Sequence, residues 1–446
     1  MMSFSRLLKV SALVLALNIT LPLQFFGAPL WLCIIAYAVS VFFVMLMLIN
    51  PVQRKTESAR LWVMDGGAEL LWMFVTSMAV SVAVAVAAVY LLAAGMLGGG
   101  AFAAWLIILA VGELLIFWDG MIRVYLTSVQ LGLAVRILGI VLGMVPVANL
   151  VMLGLIYSKV RYECDVALAR YERNKARAAE RICATRYPVL LVHGVFFRDS
   201  KLLNYWGRIP AELEKNGAVI YYGNQRSAAS VNDSGAELAA RIREICRETG
   251  CEKVNIIAHS KGGLDARCAI TKYECAPYVA SLTTVSTPHR GCVFAEYLLG
   301  KAGEGFVTRL ENAYNKAYTA LGESDPDFLA AVKDLTDGAC RRFNEETPDA
   351  EGVLYHSVGS IARSARGGRF PLNVFYPIVR KYDGENDGMV ALSSMEWGER
   401  FIPLMPKGAR GITHGDTIDL NREDYSGFDV LEFYVMMVGA LRERGL

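Results

Sequence analysis

Residues 256–263 read Ile-Ile-Ala-His-Ser-Lys-Gly-Gly, and they join an apolar run at 253–258 to a helical pattern at 263–273. A sharp turn from a strand into a helix raises a serine hydroxyl above the sheet, and such a turn needs small residues around the serine. The usual pattern is G-x-S-x-G; here Ala258 takes the first glycine position and is still small enough. We therefore predict that Ser260 is a nucleophile rather than an ordinary helix N-cap.

Short apolar runs alternate with amphipathic helical patterns on both sides of this turn. Further buried strands are predicted at 188–192, 218–222 and 281–286, and helices at 206–216 and 234–249. Alternation of this kind is typical of a mostly parallel sheet with helices on both faces. The C-terminal part of the chain is therefore predicted to have an α/β fold.

The first third of the chain has a different composition, because residues 7–157 are overwhelmingly apolar. Three stretches, at 29–49, 70–92 and 101–118, are long enough to cross a hydrocarbon layer of about 30 Å. Two more, at 7–26 and 137–157, carry polar residues or a proline. We expect an all-α transmembrane bundle at 1–158 with four to five spans, a charged juxtamembrane helix at 159–183, and a catalytic domain at 184–446.

Basic residues near the span ends predict the orientation. Arg6 and Arg54 place the N-terminus inside, and the basic residues after Tyr157 also favour the inside. If 137–157 crosses completely, the chain has five spans and the basic residues after Tyr157 lie on the side opposite the N-terminus, outside. We therefore favour a re-entrant or in-plane last segment and a cytoplasmic catalytic domain. Glu113 lies within a span and Asp119 at the end of one. Such acids can line a transport pathway, but a structural role, with Glu113 paired to a neighbouring helix, is the simpler interpretation.

The overall charge and the cysteines exclude several classes of protein. The net charge of +2 and the scattered basic residues indicate no nucleic-acid surface. Nine cysteines form no CxxC pair and no metal-binding spacing, so reduced thiols are expected. No protein partner is evident, and the expected partners are the bilayer and a lipid or acyl-ester substrate.

Acyl transfer also needs N–H donors for an oxyanion. The strand at 188–192 runs into His193-Gly194-Val195, so the amides of Val195 and Lys261 are the candidate donors. His193 precedes the nucleophile in the chain, and we expect it to shape this loop. In α/β-hydrolases the chain order is Ser, acid, His.

The general base follows by elimination among five histidines. His259 adjoins the serine, His289 comes too early to leave room for an acid, and His356 lies within an apolar run. His414, in a loop before the last helix, remains. For the acid, a predicted strand at 374–379 precedes a turn with three carboxylates, among which the residues alone do not choose: Asp383, Glu385 and Asp387.

Four motifs in order, VLLVHG, AHSKGG, VSTPHRG and NDGMV, make residues 188–440 resemble the bacterial triacylglycerol lipases. The resemblance implies an α/β-hydrolase fold in which Asp387 is the acid and His414 the base. It also implies the oxyanion roles of Val195 and Lys261. The family often holds a structural calcium near the histidine, which makes Asp416 a candidate ligand. The second acidic ligand that the family uses has no clear match here, since residues 366–369 read RGGR. Calcium therefore stays only a hypothesis, and no cofactor is expected to be required for the reaction.

The resemblance also places a lid at 292–333, where an ordinary cap helix is the alternative. The expected function is a membrane-anchored serine ester hydrolase, a lipase or esterase that cleaves carboxylic esters of lipids through an acyl-enzyme. Alternatives are a phospholipase, a lipid- or protein-linked deacylase, or a thioesterase. A non-catalytic membrane binding protein with a hydrolase-like domain is an alternative from a different class.

Overall fold

The computed structural model describes most of the chain in two compact units, Met1–Arg173 and Asn174–Leu446. The described residues are 4–51, 54–143, 145, 147–195, 204–300, 304–320, 327–370, 372–405 and 407–446. Pro146 and parts of the predicted lid, at 301–303 and 321–326, lie outside them.

The first unit is built from helices. They are α1 (Phe4–Asn18), α2 (Thr20–Phe25), α3 (Leu30–Ile49), α4 (Ala59–Ala93), α5 (Gly99–Thr127), α6 (Gly132–Leu142) and the larger part of α7 (Ala148–Arg177). Within the described residues, four helical segments are long and apolar enough to cross a membrane: Phe4–Phe25, Leu30–Ile49, Ala59–Ala93 and Gly99–Thr127.

The fifth apolar stretch, at 137–157, is not one continuous helix. Helix α6 has 11 residues and ends at Leu142, and α7 begins at Ala148. At a rise of 1.5 Å per residue, α6 is about 16 Å long, which is half of what a hydrocarbon layer requires. This stretch therefore forms two helices with a break between them.

Three arginines from different parts of the first unit pair with the same two acids of α4. Arg6, near the start of α1, pairs with Glu69, and Arg54 pairs with Asp65 at 2.7 Å. Arg161, beyond the break, contacts Asp65 at 3.2 Å and Glu69 at 2.9 Å. Residues near the start of α1, between α3 and α4 and within α7 thus lie close together in the first unit.

The second unit contains a six-stranded, all-parallel sheet in the order β2-β1-β3-β4-β5-β6. The strands are β1 (Val189–Val192), β2 (Ile220–Tyr222), β3 (Val254–His259), β4 (Val279–Val285), β5 (Leu354–Ser360) and β6 (Arg400–Leu404). The helices are α8 (Ile209–Lys215), α9 (Val231–Thr249), α10 (Lys261–Thr271), α11 (Val293–Gly300), α12 (Glu304–Ala320), α13 (Phe328–Lys333), α14 (Asp337–Glu346), α15 (Leu372–Asp383), α16 (Leu392–Met395) and α17 (Val430–Glu443). The predicted α/β class is confirmed.

Both faces of the sheet are covered, which explains the continuous apolar runs. Successive side chains of a strand point to opposite faces. In β1, Leu191 packs in a cluster with Tyr434 of α17, whereas Leu190 packs in another with Leu238 of α9. Every residue of β1 is buried. A central strand between two helical layers therefore shows no polar alternation in its sequence.

The predicted strand at 374–379 is wrong, because this stretch lies within helix α15. Its apolar residues Leu372, Phe375, Tyr376 and Val379 follow the i, i+3, i+4, i+7 spacing of a helix face. The short window of β-branched and aromatic residues favoured a strand, but the longer period decides. The turn that bears the three carboxylates therefore follows a helix.

Candidate active site

Ser260 lies between the end of β3 and the start of α10 in a strained backbone conformation. Its φ and ψ are 55° and −133°, a region that residues with side chains rarely adopt and that clusters at functional sites. The surrounding backbone is tight, since a Cβ on Gly262 would lie 2.4 Å from the carbonyl oxygen of His193. A Cβ on Gly194 would lie 2.8 Å from Cβ of Ser260. The glycines are therefore required by close approach.

The backbone of Ser260 is fixed on both sides. Its N–H donates to the carbonyl of Val285 at 2.9 Å, and its own carbonyl accepts from the Thr287 hydroxyl at 2.8 Å. The residue is 8% exposed. These bonds hold the strained turn and leave the serine side chain outside the backbone network.

His414 and Asp387 are brought together although 27 residues separate them. Nδ1 of His414 lies 2.7 Å from Oδ2 of Asp387. The other carboxylate oxygen accepts the N–H groups of Met389 and Val390 at 3.0 and 2.9 Å. The N–H of His414 also donates to the Asp387 carbonyl at 2.9 Å. An imidazole that donates from Nδ1 has Nε2 available as a proton acceptor.

The ring of His414 lies against the residue that precedes the serine. The centroids of the His259 and His414 rings are 4.4 Å apart. Nδ1 of His259 also shares a hydrogen bond of 2.6 Å with the Tyr205 hydroxyl. Burial lowers the pKa of His259 well below its ordinary value, and the neighbouring His414 acts in the same direction. His259 is therefore neutral, and its partner Tyr205 has no signal in the sequence.

The two candidate oxyanion donors follow β1 and Ser260. Val195 is buried just beyond Gly194, and Lys261 is the first residue of α10. Nδ1 of His193 lies 3.0 Å from the Gly194 carbonyl. Its carbonyl oxygen accepts from Nε2 of Gln225 at 3.0 Å. His193 thus contributes to the conformation of the loop, as its position in the chain indicates. The donor roles of Val195 and Lys261 stay predictions.

The side chain of Lys261 points into the protein. Its Nζ lies 2.7 Å from Oδ1 of Asp265 and 3.0 Å from Oγ of Ser234. Burial raises the pKa of the Asp265 carboxyl to about 7, and the Lys261 ammonium opposes this rise. The ammonium is thus engaged beneath the turn, so that only the amide of Lys261 is a candidate to meet a substrate.

The two remaining histidines have structural surroundings. His289 stacks on Trp397 with ring centroids 5.3 Å apart, and its Nε2 lies 2.9 Å from the Thr284 hydroxyl. Burial lowers the pKa of His289 well below its ordinary value, and the positive charge of Arg267 lowers it further. His356 lies on strand β5. His414, in contrast, is hydrogen-bonded to the carboxylate of Asp387.

Asp416, the candidate calcium ligand, is already neutralised by a side chain. Its two oxygens accept from the Arg410 guanidinium at 2.9 and 3.0 Å, and one of them also accepts from the N–H and hydroxyl of Thr413. Arg410 lies over the Tyr425 ring at 3.9 Å. The described residues contain no group of three or more potential metal ligands. These residues do not fit a calcium ion, because a guanidinium takes the place of the cation.

The comparisons with known proteins agree with this fold. A family model described as alpha/beta hydrolase fold matches residues 187–374. A triacylglycerol lipase of Vibrio cholerae serotype O1 is 30% identical over 239 residues, which are 48% of this chain and 75% of that protein. A triacylglycerol lipase of Burkholderia plantarii is 35% identical over 188 residues, or 39% of this chain; the match spans 52% of the relative, about half its length. The structure of Bacillus licheniformis lipase BlEst2 in mature form matches with a TM-score of 0.42 and 23% identity, over 58% of this chain and 93% of that one.

The parallel sheet with a strained serine at its central strand-to-helix turn defines an α/β hydrolase. The identity to the Vibrio protein places the chain more closely. The chain belongs to the bacterial triacylglycerol lipase family of the α/β-hydrolase superfamily. Its Ser260 lies inside the stretch matched by the family model, whereas Asp387 and His414 lie beyond it.

Proposed function

We propose that this protein is a serine ester hydrolase that cleaves carboxylic esters of lipids through Ser260, His414 and Asp387. One observation carries the proposal: the hydrogen bond between His414 and the buried Asp387, whose other oxygen is fixed by two backbone amides. That arrangement orients an imidazole as a general base. The strained turn at Ser260 supplies the nucleophile type that such a base activates.

The proposed reaction has two steps. Ser260 Oγ attacks the ester carbonyl carbon while Nε2 of His414 takes its proton, and the amides of Val195 and Lys261 stabilise the oxyanion. Collapse breaks the bond to the alcohol, which leaves with the proton from His414. Water then attacks the acyl-serine, again giving its proton to His414. The carboxylic acid departs and Ser260 regains its proton, while Asp387 stabilises the imidazolium in both steps.

The proposed substrate is a long-chain ester in the membrane that holds the enzyme. The relatives are triacylglycerol lipases by name, and four N-terminal segments are suited to cross a bilayer. We propose residues 1–158 as the membrane region, 159–183 as a juxtamembrane linker and 184–446 as the catalytic domain, with a lid at 292–333. Tethering raises the local concentration of lipid esters at the site.

The basic residues support a cytoplasmic location of the catalytic domain. Arg6, Arg54 and Arg161 lie at the same end of the first unit. Because basic residues favour the cytoplasmic side, this end is proposed to face inward. The chain then reaches Asn174 on that side.

The test is the Ser260→Ala variant, measured by fluorophosphonate labelling and by hydrolysis of p-nitrophenyl esters. Both should be lost, because the nucleophile is gone. The matched control is Ser230→Ala, since this serine caps helix α9 and takes no part in the proposed chemistry. Persistent labelling of the Ser260→Ala protein would sink the proposal. A panel of triacylglycerol, phospholipid and thioester substrates in the same vesicles would separate a lipase from a phospholipase or thioesterase.

A further inference from the structure

The first unit contains a cavity of about 500 Å³ that the proposed hydrolysis does not use. Its walls come from α4, α5, α6 and the start of α7. Most of the lining is apolar, for example Phe74, Met78, Phe117 and Leu153. The volume lies within the range of about 300–1,000 Å³ that is typical of small-molecule sites.

A buried carboxylate lies in the wall of this cavity. Glu113 is 14 residues from each end of α5, which runs from Gly99 to Thr127, and it is 1% exposed. One of its oxygens accepts from the Ser77 hydroxyl at 3.0 Å. The other, Oε1, is buried without a hydrogen-bond partner among the described residues. Acidic groups in the middle of an apolar helix are costly and mark binding or transport sites.

A second unsatisfied acceptor lines the same cavity. Oδ1 of Asn149, in the first turn of α7, is also buried without a partner in the described part of the chain. Buried polar atoms in folded proteins nearly always have partners, so two orphan acceptors facing one cavity indicate a missing donor. The break between α6 and α7 places Asn149 there, which is consistent with irregular backbone at membrane depth lining a cavity.

We propose that this cavity binds a single-chain lipid with free hydroxyl groups, such as a monoacylglycerol. The apolar walls suit an acyl or alkyl chain. The hydroxyl groups donate to Glu113 Oε1 and Asn149 Oδ1, and a hydroxyl also accepts a hydrogen bond if Glu113 is protonated. A fatty-acid carboxylate offers no donor to these acceptors. The site lies outside the proposed catalytic residues and needs no ester cleavage.

The experiment uses the full chain in phospholipid nanodiscs and an ether-linked alkylglycerol that carries a photoactivatable diazirine in its chain. The ether resists hydrolysis, so a failure of the proposed esterase function does not affect the result. The paired probe has both hydroxyls capped as methyl ethers. Labelled peptides are located by mass spectrometry, and unlabelled alkylglycerol serves as the competitor.

We expect the hydroxyl probe to label peptides containing Met78, Phe117 or Leu153. The capped probe should label them at least tenfold less, because capping removes the donors to both Glu113 and Asn149 and one hydrogen bond to a buried group is worth about tenfold. Glu113→Leu removes one of these bonds and should lower labelling by the hydroxyl probe about tenfold, whereas Glu113→Gln should retain labelling. The matched control is Asp119→Asn on the same helix, where the carboxylate pairs with Arg123 and does not line the cavity. Equal labelling by both probes, or by the Glu113→Leu protein, would overturn the proposal. The probe comparison needs no variant, so it decides the matter even if Glu113→Leu fails to fold.

Discussion

Replacing Asp387 by Asn tests the proposed triad through the tautomer of His414. In the native protein Oδ1 of Asp387 accepts two backbone N–H groups at 3.0 and 2.9 Å, from Met389 and Val390, and Oδ2 faces Nδ1 of His414 at 2.7 Å. The Asn oxygen will stay with the two N–H donors, so the amide NH₂ will face His414. The imidazole must then carry its proton on Nε2, where it cannot accept the proton of Ser260.

The magnitude follows from the alternative orientation of the amide. Rotating the Asn oxygen toward His414 restores the active tautomer. It also removes both hydrogen bonds from the amides of Met389 and Val390, because the Asn NH₂ group then faces these two N–H donors. Each lost bond of a buried group costs about 1–3 kcal/mol. The active arrangement is therefore disfavoured by about 2–6 kcal/mol, and kcat should fall by about 30-fold to 2 × 10⁴-fold.

The assay is steady-state hydrolysis of a soluble p-nitrophenyl ester, with circular dichroism to show that the variant is folded. Asp383→Asn and Glu385→Gln are matched controls because both side chains are exposed, and their rates should change by no more than about threefold. An Asp387→Asn enzyme with a rate within tenfold of the native one would refute the assignment. Severe loss in Asp383→Asn alone would place the acid four residues earlier.

Three further outcomes are expected. Because the pKa of the buried His259 and His289 lies well below the unfolded value of 6.5, the unfolded state binds more protons as pH falls below 6.5. The free energy of unfolding, measured by urea titration, should therefore fall by about 1.4 kcal/mol per ring for each pH unit below 6.5. His289→Gln should halve this dependence of the free energy on pH. EDTA should leave kcat unchanged, whereas Arg410→Ala, which removes the cation paired with Asp416, should cost about 1–3 kcal/mol of stability and reduce kcat. A chain that starts at Asn174 should keep its rate on soluble short esters but lose about a hundredfold on liposomal esters.

The sequence alone is sufficient for four of the six strands, β1 to β4, and for the strand-to-helix turn at Ser260. Strands β1, β3 and β4 are buried on both faces, and each is a short run of mainly apolar and β-branched residues without charged side chains. The Ala-His-Ser-Lys-Gly motif needs no tertiary information, because strand, turn and helix follow one another directly. His414 was reached by counting histidines, and the structure places it beside Asp387.

The choice among the three carboxylates could not be made from the residues themselves. Asp383 and Glu385 are exposed, while Asp387 is buried against His414. That difference depends on how the turn after α15 folds back, and α15 was itself predicted as a strand. The pairing of Arg410 with Asp416 was also invisible, because it depends on the loop conformation rather than on helical or strand spacing.

Ion pairs within the first unit bear on the number of spans, which composition leaves open. Counting apolar stretches allows five spans, which would carry the chain to the side opposite the N-terminus. Glu163 of α7, however, accepts the N–H groups of Val129 and Gln130, directly after α5, and pairs with Arg60 at the start of α4. A segment that leaves near residue 130 and is back beside it at 163 has not crossed the bundle. These contacts support the proposal of four spans, in which α6 lines a cavity instead of crossing the bilayer.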